Sequence, residues 1–322
     1  MTSVPGNKSH GRPVRREKWH PITPSHPKSD FELPVRWKTP RRIQIHEDLF
    51  EGTVSEGLIA KILSVVARTP RHTFELTTCD AARQRILLSA ESFTSEVLDN
   101  FWNAPPPALW YEPSGRISRG PIEASWQWPL KNLQLGVRVS DQASFEEQIP
   151  ELLKTAAAGR FVHITPVGPI DFKDYLWRDE HIERVPSAAI NLISVSGEVG
   201  RQARPMHPDW VRTIRDQSVA ASVAFYFQGW GEWAPGDIHN GGVSGGAPPP
   251  QSHSVPRRPV GYLDYEGKWH NTNELNTFQI PSGWERMARV GRRVSGRELD
   301  GRSWDGLDDP NENVARREGK GR

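Results

Sequence analysis

Residues 189–227 read AINLISVSGEVGRQARPMHPDWVRTIRDQSVAASVAFYF, and this stretch decides the fold class. Ala189–Val195 is a nearly continuous apolar run, which is typical of a strand buried on both faces of a sheet. Pro208–Ala221 has the length of a helix, and proline suits its first turn. Val223–Phe227 is a second apolar strand. The strand–helix–strand order predicts two parallel strands joined by a helical crossover.

The same alternation extends towards the N-terminus. A capping box at Thr53-Val-Ser-Glu56 predicts the start of one helix, and further helices are predicted over Ala81–Phe101 and near Phe145–Thr155. Strands are predicted at Ile43–Ile45, Thr73–Thr77, Leu133–Val139 and Arg160–Ile164. This order favours an α/β fold with a parallel sheet, which is either doubly wound or closed as a barrel.

Composition divides the chain into five segments. The first is basic, rich in proline and poor in apolar residues, which predicts a disordered arm. The fold is expected to occupy the second, and the third is Gly/Pro-rich, which indicates a loop insertion. In order, the segments are a disordered basic arm (1–30), the α/β partial barrel (31–235), the loop insertion (236–270), a C-terminal segment packing on the barrel (271–308) and a disordered tail (309–322).

Charge and cysteine content restrict the class of protein. The net charge is +2 over 322 residues, which is too small to indicate nucleic-acid binding by itself. The single cysteine, Cys79, excludes a disulfide scaffold and fits a reducing compartment. No apolar stretch reaches the roughly 18 residues of a membrane span, and the first residues lack the apolar centre that a signal peptide is expected to have. We therefore expect a cytoplasmic protein that does not contact a membrane.

Several motifs spread over residues 19–305 are similar to one family. That family is phage- and prophage-associated, is described as radical-SAM-like and related to the photolyase-type lyases, and takes its name from a three-cysteine motif. The matching stretches are PVRWKTPRRI (Pro34–Ile43), DLF (Asp48–Phe50), RTPRHTF (Arg68–Phe74), LGVRVSDQ (Leu135–Gln142), GPID (Gly168–Asp171), ARPMHPDWVRTIRDQSVAASVAFYFQGWGEW (Ala203–Trp233) and RMARVGRRVSGRELDGRSWD (Arg286–Asp305).

The resemblance implies a partial α/β barrel of the triosephosphate isomerase (TIM) type. In the family, three cysteines are expected to hold a [4Fe–4S] cluster, and the remaining iron binds S-adenosylmethionine (SAM) and passes it an electron. A Gly-Gly-Glu motif of the family is expected to contact the SAM amino group. In this chain the corresponding residues are Ser196, Gly197 and Glu198.

This chain departs from the family where the cluster would bind. The opening motif reads WHPITPS over Trp19–Ser25, so Ser25 stands where the first cysteine is expected. The region of the other two cysteines looks deleted, together with part of one βα unit, so we expect Ile43–Ile45 to lie in the sheet with its neighbour on one side absent or replaced by a loop. We therefore expect no cofactor, no catalytic residues and no metal ligands, and we expect Gly197 and Glu198 to be a vestigial SAM contact.

Three functions are compatible with these observations. The first is a non-catalytic binding or accessory protein of a phage or mobile element, with a protein partner that the sequence does not identify. The second is a nucleic-acid-associated protein that uses the Arg286–Arg302 segment and the basic arm, through Arg12, Arg15, Arg16 and Lys18. The third is an enzyme with a replaced, iron-independent site for SAM or a nucleotide.

Overall fold

Seven strands form the main sheet, and they are hydrogen-bonded in the order in which they occur along the chain. The computed structural model describes residues 15–22, 30–104, 126–172, 175, 190–236, 259–271 and 280–306. The strands are β1 (Arg15–Trp19), β2 (Arg41–Ile45), β3 (Thr73–Thr78), β4 (Leu133–Val139), β5 (Gly159–Ile164), β6 (Leu192–Ser196) and β7 (Ala224–Gly229). The predicted α/β fold with a parallel sheet is confirmed, and the sequential order is the one that TIM-type barrels use.

Six helices lie between these strands in the described parts of the chain. They are α1 (Leu33–Arg36), α2 (Glu56–Ala67), α3 (Ala81–Ser89), α4 (Glu91–Asn103), α5 (Gln142–Lys154) and α6 (Pro208–Ala220). The predicted capping box at Thr53 is wrong, because α2 begins after Ser55 and no side chain caps it. A capping box does begin α5, where the Ser144 amide donates to Asp141 Oδ1 at 2.8 Å and the Asp141 amide donates to Ser144 Oγ at 3.1 Å.

The first of two compact units comprises residues 1–76 and 90–134. Within it, β1 pairs in parallel with β2 along its whole length. Trp19 is fully buried, packs edge-on against Phe74 with ring centroids 6.0 Å apart, and donates its indole N–H to the Asp30 carbonyl. On the same strand, Glu17 accepts a hydrogen bond of 2.7 Å from the Arg41 guanidinium.

Two predictions about this unit are wrong for the same reason. Residues 15–22 are not part of a disordered arm, since they contribute a strand and a buried tryptophan. Consequently Ile43–Ile45 does not lack a neighbour on one side, as a missing βα unit would require. Residues 1–14 and 23–29, including Arg12 and Ser25, lie outside the described residues.

The second compact unit comprises residues 77–89 and 135–322. Polar contacts join α3 to α5, because the Ala81 amide donates to Gln148 Oε1 at 2.7 Å and Arg85 pairs with Glu151 at 2.5 Å. Trp210 on α6 is buried and donates its indole N–H to the Tyr265 carbonyl at 2.7 Å. These contacts fix the helices of this unit.

An antiparallel sheet follows the parallel strands in this unit, in the order β10-β9-β11-β8. Its strands are β8 (Trp233–Pro235), β9 (Val260–Leu263), β10 (Trp269–Asn271) and β11 (Glu285–Arg289), and a hairpin of β12 (Glu298–Leu299) and β13 (Arg302–Ser303) comes after them. The predicted loop insertion over 236–270 is therefore wrong for β9 and β10. Residues 237–258 and the predicted tail at 309–322 lie outside the described residues.

At the carboxyl ends of β6 and β7, backbone segments cross at very short range. A Cβ atom on Gly197 would overlap the Trp230 carbonyl, and one on Gly231 would overlap the Glu198 carbonyl, both well inside the 3.0 Å limit of real contacts. Gly231 also has a φ of +75°, which disfavours any side chain. Among the described residues, no helix is long and apolar enough to cross a membrane.

Replacing Trp19 with alanine tests whether β1 belongs to the folded core. We expect Trp19→Ala to lower the free energy of unfolding by about 3–5 kcal/mol, because a buried aromatic side chain leaves a cavity. Lys18→Ala on the same strand removes an exposed side chain and should change it by less than about 0.5 kcal/mol. Equal, small effects in urea denaturation would show that residues 15–19 contribute nothing to the core.

Replacing Gly197 with alanine tests the crossing of backbone segments. We expect Gly197→Ala to destabilise the protein by about 3 kcal/mol, because the added methyl group meets a carbonyl that belongs to backbone and cannot rotate away. Gly168→Ala is the matched control, since a Cβ atom there meets nothing within 4 Å. A melting temperature of Gly197→Ala equal to that of the control would contradict the described geometry.

Candidate functional site

Strands β4 to β7 carry polar side chains on the face opposite their buried residues. In β5 the alternation places Val162 and Ile164 in the core and leaves His163 only partly buried. The same alternation holds in β4 and β7, whereas in β6 Ser194 is itself buried and Ser196 is partly buried. We call this set the polar face; its members are Arg138, His163, Ser194, Ser196, Tyr226 and Gln228.

A hydrogen-bond network joins the centre of the polar face. The Gln228 amide donates to Ser194 Oγ at 2.7 Å and to His163 Nδ1 at 3.3 Å. The Ser196 hydroxyl lies 3.3 Å from His163 Nε2. Because the amide occupies Nδ1 as a donor, the imidazole proton belongs on Nε2, where Ser196 Oγ accepts it.

The imidazole of His163 is held in its neutral form. Burial and, to a smaller extent, the positive charge of Arg138 together lower its pKa from the usual 6.5 to about 4. A protonated ring would also place an N–H group against the Gln228 amide donor. The polar face therefore offers donors and acceptors without a charge at its centre, and a guanidinium at one side.

This arrangement is better suited to binding than to proton transfer. A histidine base is most effective when its pKa lies near the working pH, and a pKa of about 4 makes a weak base. Among the described residues, neither ring nitrogen of His163 contacts a carboxylate that would orient it, as a serine nucleophile requires. The polar face can bind a polar organic group by hydrogen bonds, and Arg138 can pair with a negative charge on that group.

Glu198 lies two residues after the end of β6, as the sequence predicts, but it is engaged by another residue. Its carboxylate accepts hydrogen bonds from the Arg204 amide at 2.7 Å and from the Arg204 guanidinium at 2.5 Å. Burial alone would raise the pKa of Glu198, but the hydrogen bonds from Arg204 outweigh burial and lower it. Neighbouring Gly197 lies against the Trp230 carbonyl. A SAM amino group would have to displace Arg204 to reach this carboxylate.

The thiols of this chain do not fit an iron–sulfur cluster. A [4Fe–4S] cluster of the implied kind needs three thiolates, and Cys79 is the only cysteine. Cys79 is exposed, and its sulfur lies 3.4 Å from Arg138 Nε. Ser25 lies outside the described residues, and a serine hydroxyl is a poor substitute for a thiolate. Within the described ranges no group of three or more His, Cys, Asp or Glu side chains could hold a metal ion.

The predicted nucleic-acid residues divide into three cases. Arg12 lies outside the described residues, and Arg15 and Arg16 belong to β1 rather than to a free arm. Lys18 is exposed on that strand. In the Arg286–Arg302 segment several arginines are engaged, but Arg292 and Arg293 are exposed and adjacent on a loop.

Sequence reasoning missed the polar face. Its signal was present in the sequence, since single polar residues interrupt otherwise apolar strands: His163 in RFVHI, Ser194 in LISVS and Gln228 in FYFQG. Each interruption falls where the alternation of a strand turns away from the core. Which of them lie together depends on strand register, and the apolar pattern alone does not provide that.

Comparison with known proteins gives one result. Residues 8–308 match the model of a family described as a protein of unknown function, DUF5131. No curated protein shows a significant match to the chain, and no solved structure does so either.

The lowered pKa of His163 predicts a pH dependence of stability. As the pH falls from 6.5 to about 4, the unfolded chain binds a proton that the folded His163 does not, so the folded state loses stability over that range. We expect His163→Gln to reduce the fall in melting temperature between these pH values. His72, whose pKa burial also lowers to about 4, contributes separately in the other unit. An unchanged pH profile in His163→Gln would show that the imidazole titrates normally.

Proposed function

We propose that this chain, which belongs to the DUF5131 family, is a binding or accessory protein rather than an enzyme. We further propose that its scaffold is a radical-SAM-like partial barrel of phage or mobile-element origin that has lost the cluster site. The motif resemblance over residues 19–305 supports the origin of the scaffold, and the sequential parallel sheet is compatible with it.

The state of His163 carries this proposal. A site that performs acid–base chemistry near neutral pH needs a group whose pKa lies in that range. His163 has a pKa of about 4, and hydroxyl and amide groups surround it. Such a set can recognise a ligand by hydrogen bonds, and this favours a binding role over acid–base catalysis by His163.

The shortened N-terminal region supports the loss of the cluster. Between β1 and β2 the one described helix, α1, has four residues, which is short for a βα unit. This is the region where the family resemblance places the missing cysteines. We propose that part of this βα unit was lost while its strand, β1, was kept.

An enzyme with a replaced site is the alternative that an experiment must separate. Such an enzyme would bind SAM or a nucleotide without iron, and Glu198 would be expected to contact it. Against this, both carboxylate oxygens of Glu198 already accept hydrogen bonds from Arg204. Oε2 accepts from the Arg204 backbone amide, and Oε1 accepts from its guanidinium.

Anaerobic reconstitution with iron and sulfide tests the proposal. We expect much less than the roughly four irons per chain of a loaded cluster, no cluster absorbance, and no 5′-deoxyadenosine when SAM and a strong reductant are added. The Cys79→Ser variant is the matched control and should retain the same small amount of iron, because a single thiol does not organise a cluster. Stoichiometric iron that disappears in Cys79→Ser would refute the loss of the site.

Calorimetric titration with SAM then separates binding from a replaced enzyme site. We expect no saturable heat with the iron-free protein. Saturable binding that weakens in Glu198→Gln would support the replaced-site enzyme and count against an accessory protein.

A further inference from the structure

Two loops at the carboxyl ends of β6 and β7 form an arginine-rich surface. They are residues 197–204 and 289–297, and we call them together the basic rim. The rim contains six arginines. It includes one carboxylate, Glu198, and a second carboxylate, Glu232, lies between its two loops. Its exposed side chains are arginines, one glutamine (Gln202) and two valines, Val199 and Val294, which are 55% and 47% exposed.

Hydrogen bonds hold the two loops next to each other. Glu232 lies between them, because its side chain accepts from the Gly200 amide at 3.2 Å and its carbonyl accepts from the Gly291 amide at 2.9 Å. Arg289 donates to the Gly200 carbonyl at 2.5 Å and joins the loops a second time. Buried Ser295 donates to the Gly231 carbonyl at 2.7 Å, which fixes the second loop to the end of β7.

Three of the six arginines already bind another group of the protein. Arg204 pairs with Glu198, Arg297 pairs with Asp305, and Arg289 is used in the contact between the loops. The other three are exposed, and among the described residues no carboxylate pairs with any of them; they are Arg201, Arg292 and Arg293. Unpaired guanidinium groups on loops that are already ordered bind an anion at a low entropic cost.

We infer that the basic rim binds the phosphodiester backbone of a nucleic acid. Phosphates are bound bidentately by guanidinium groups, and two adjacent arginines on an ordered loop suit consecutive phosphates of one strand. The exposed valines can contact the sugars between those phosphates.

Arginine and aromatic side chains beside the rim favour a nucleic acid over an acidic protein. In the hairpin that continues the second loop, the Arg302 guanidinium lies 4.5 Å from the Trp304 ring centroid. The Arg297 guanidinium lies 5.9 Å from the ring of Tyr226 on the polar face. Arginine and aromatic side chains placed together in this way can stack with the bases of a single strand, whereas an acidic peptide is bound by the cations alone.

The test is a salt titration of binding to fluorescein-labelled oligonucleotides, one single-stranded and one duplex, followed by anisotropy. We expect the double variant Arg292→Gln and Arg293→Gln to weaken binding at least tenfold at low salt. We also expect the slope of log K against log salt to become shallower by about 1.4 on the single strand and about 1.8 on the duplex, because each phosphate contact contributes about 0.7 or 0.9.

The control removes the same charge elsewhere. Lys61→Gln with Lys131→Gln also loses two positive charges from exposed positions, so a difference between the double variants reports position rather than net charge. The inference is overturned if the wild-type chain shows no salt-dependent binding, or if both double variants lose affinity equally. It is also overturned if poly-glutamate competes as well as the oligonucleotide, which would identify the rim as a surface for acidic proteins.

Discussion

The crossing of backbone segments at Gly197 and Gly231 is the constraint on which the functional end of the second unit depends. Because neither position tolerates a Cβ atom, the loop after β6 and the loop after β7 approach at backbone distance. That approach brings the Glu232 amide to the Glu198 carbonyl at 2.9 Å, and Glu232 in turn holds the Gly200 and Gly291 amides. The position of the basic rim therefore follows from two glycines that carry no chemistry themselves.

Apolar strands were predictable from the sequence because burial on both faces leaves a continuous apolar run. Leu133–Val139 was predicted with the bounds that the structure gives, and β6 and β7 were placed within a few residues. The strand β1 was missed because its sequence, RREKW, has one apolar residue in five. Its place in the sheet depends on Trp19 in the core and on the pairing of Glu17 with Arg41, and local propensity shows neither contact.

The position of the candidate site in the fold was predictable from the sequence, but the hydrogen-bond partners of its residues were not. A residue after a buried parallel strand belongs at the carboxyl edge of the sheet, and Glu198 lies there. Its partner Arg204 is six residues away across a loop, and no periodicity links the two residues. The network around His163 joins residues from three strands separated by more than thirty positions, so it depends on strand register rather than on any motif.

The two faces of β4 to β7 are under different physical constraints. Residues such as Val162, Ile193 and Phe227 are buried, and replacing them would cost about 1–5 kcal/mol each through cavities or overpacking. The less buried side chains of the polar face, such as Tyr226 and Gln228, contribute less to that core, so they can be exchanged while the fold is kept. The polar face can therefore differ in chemistry between chains that share this fold, while the buried face keeps the strands in register.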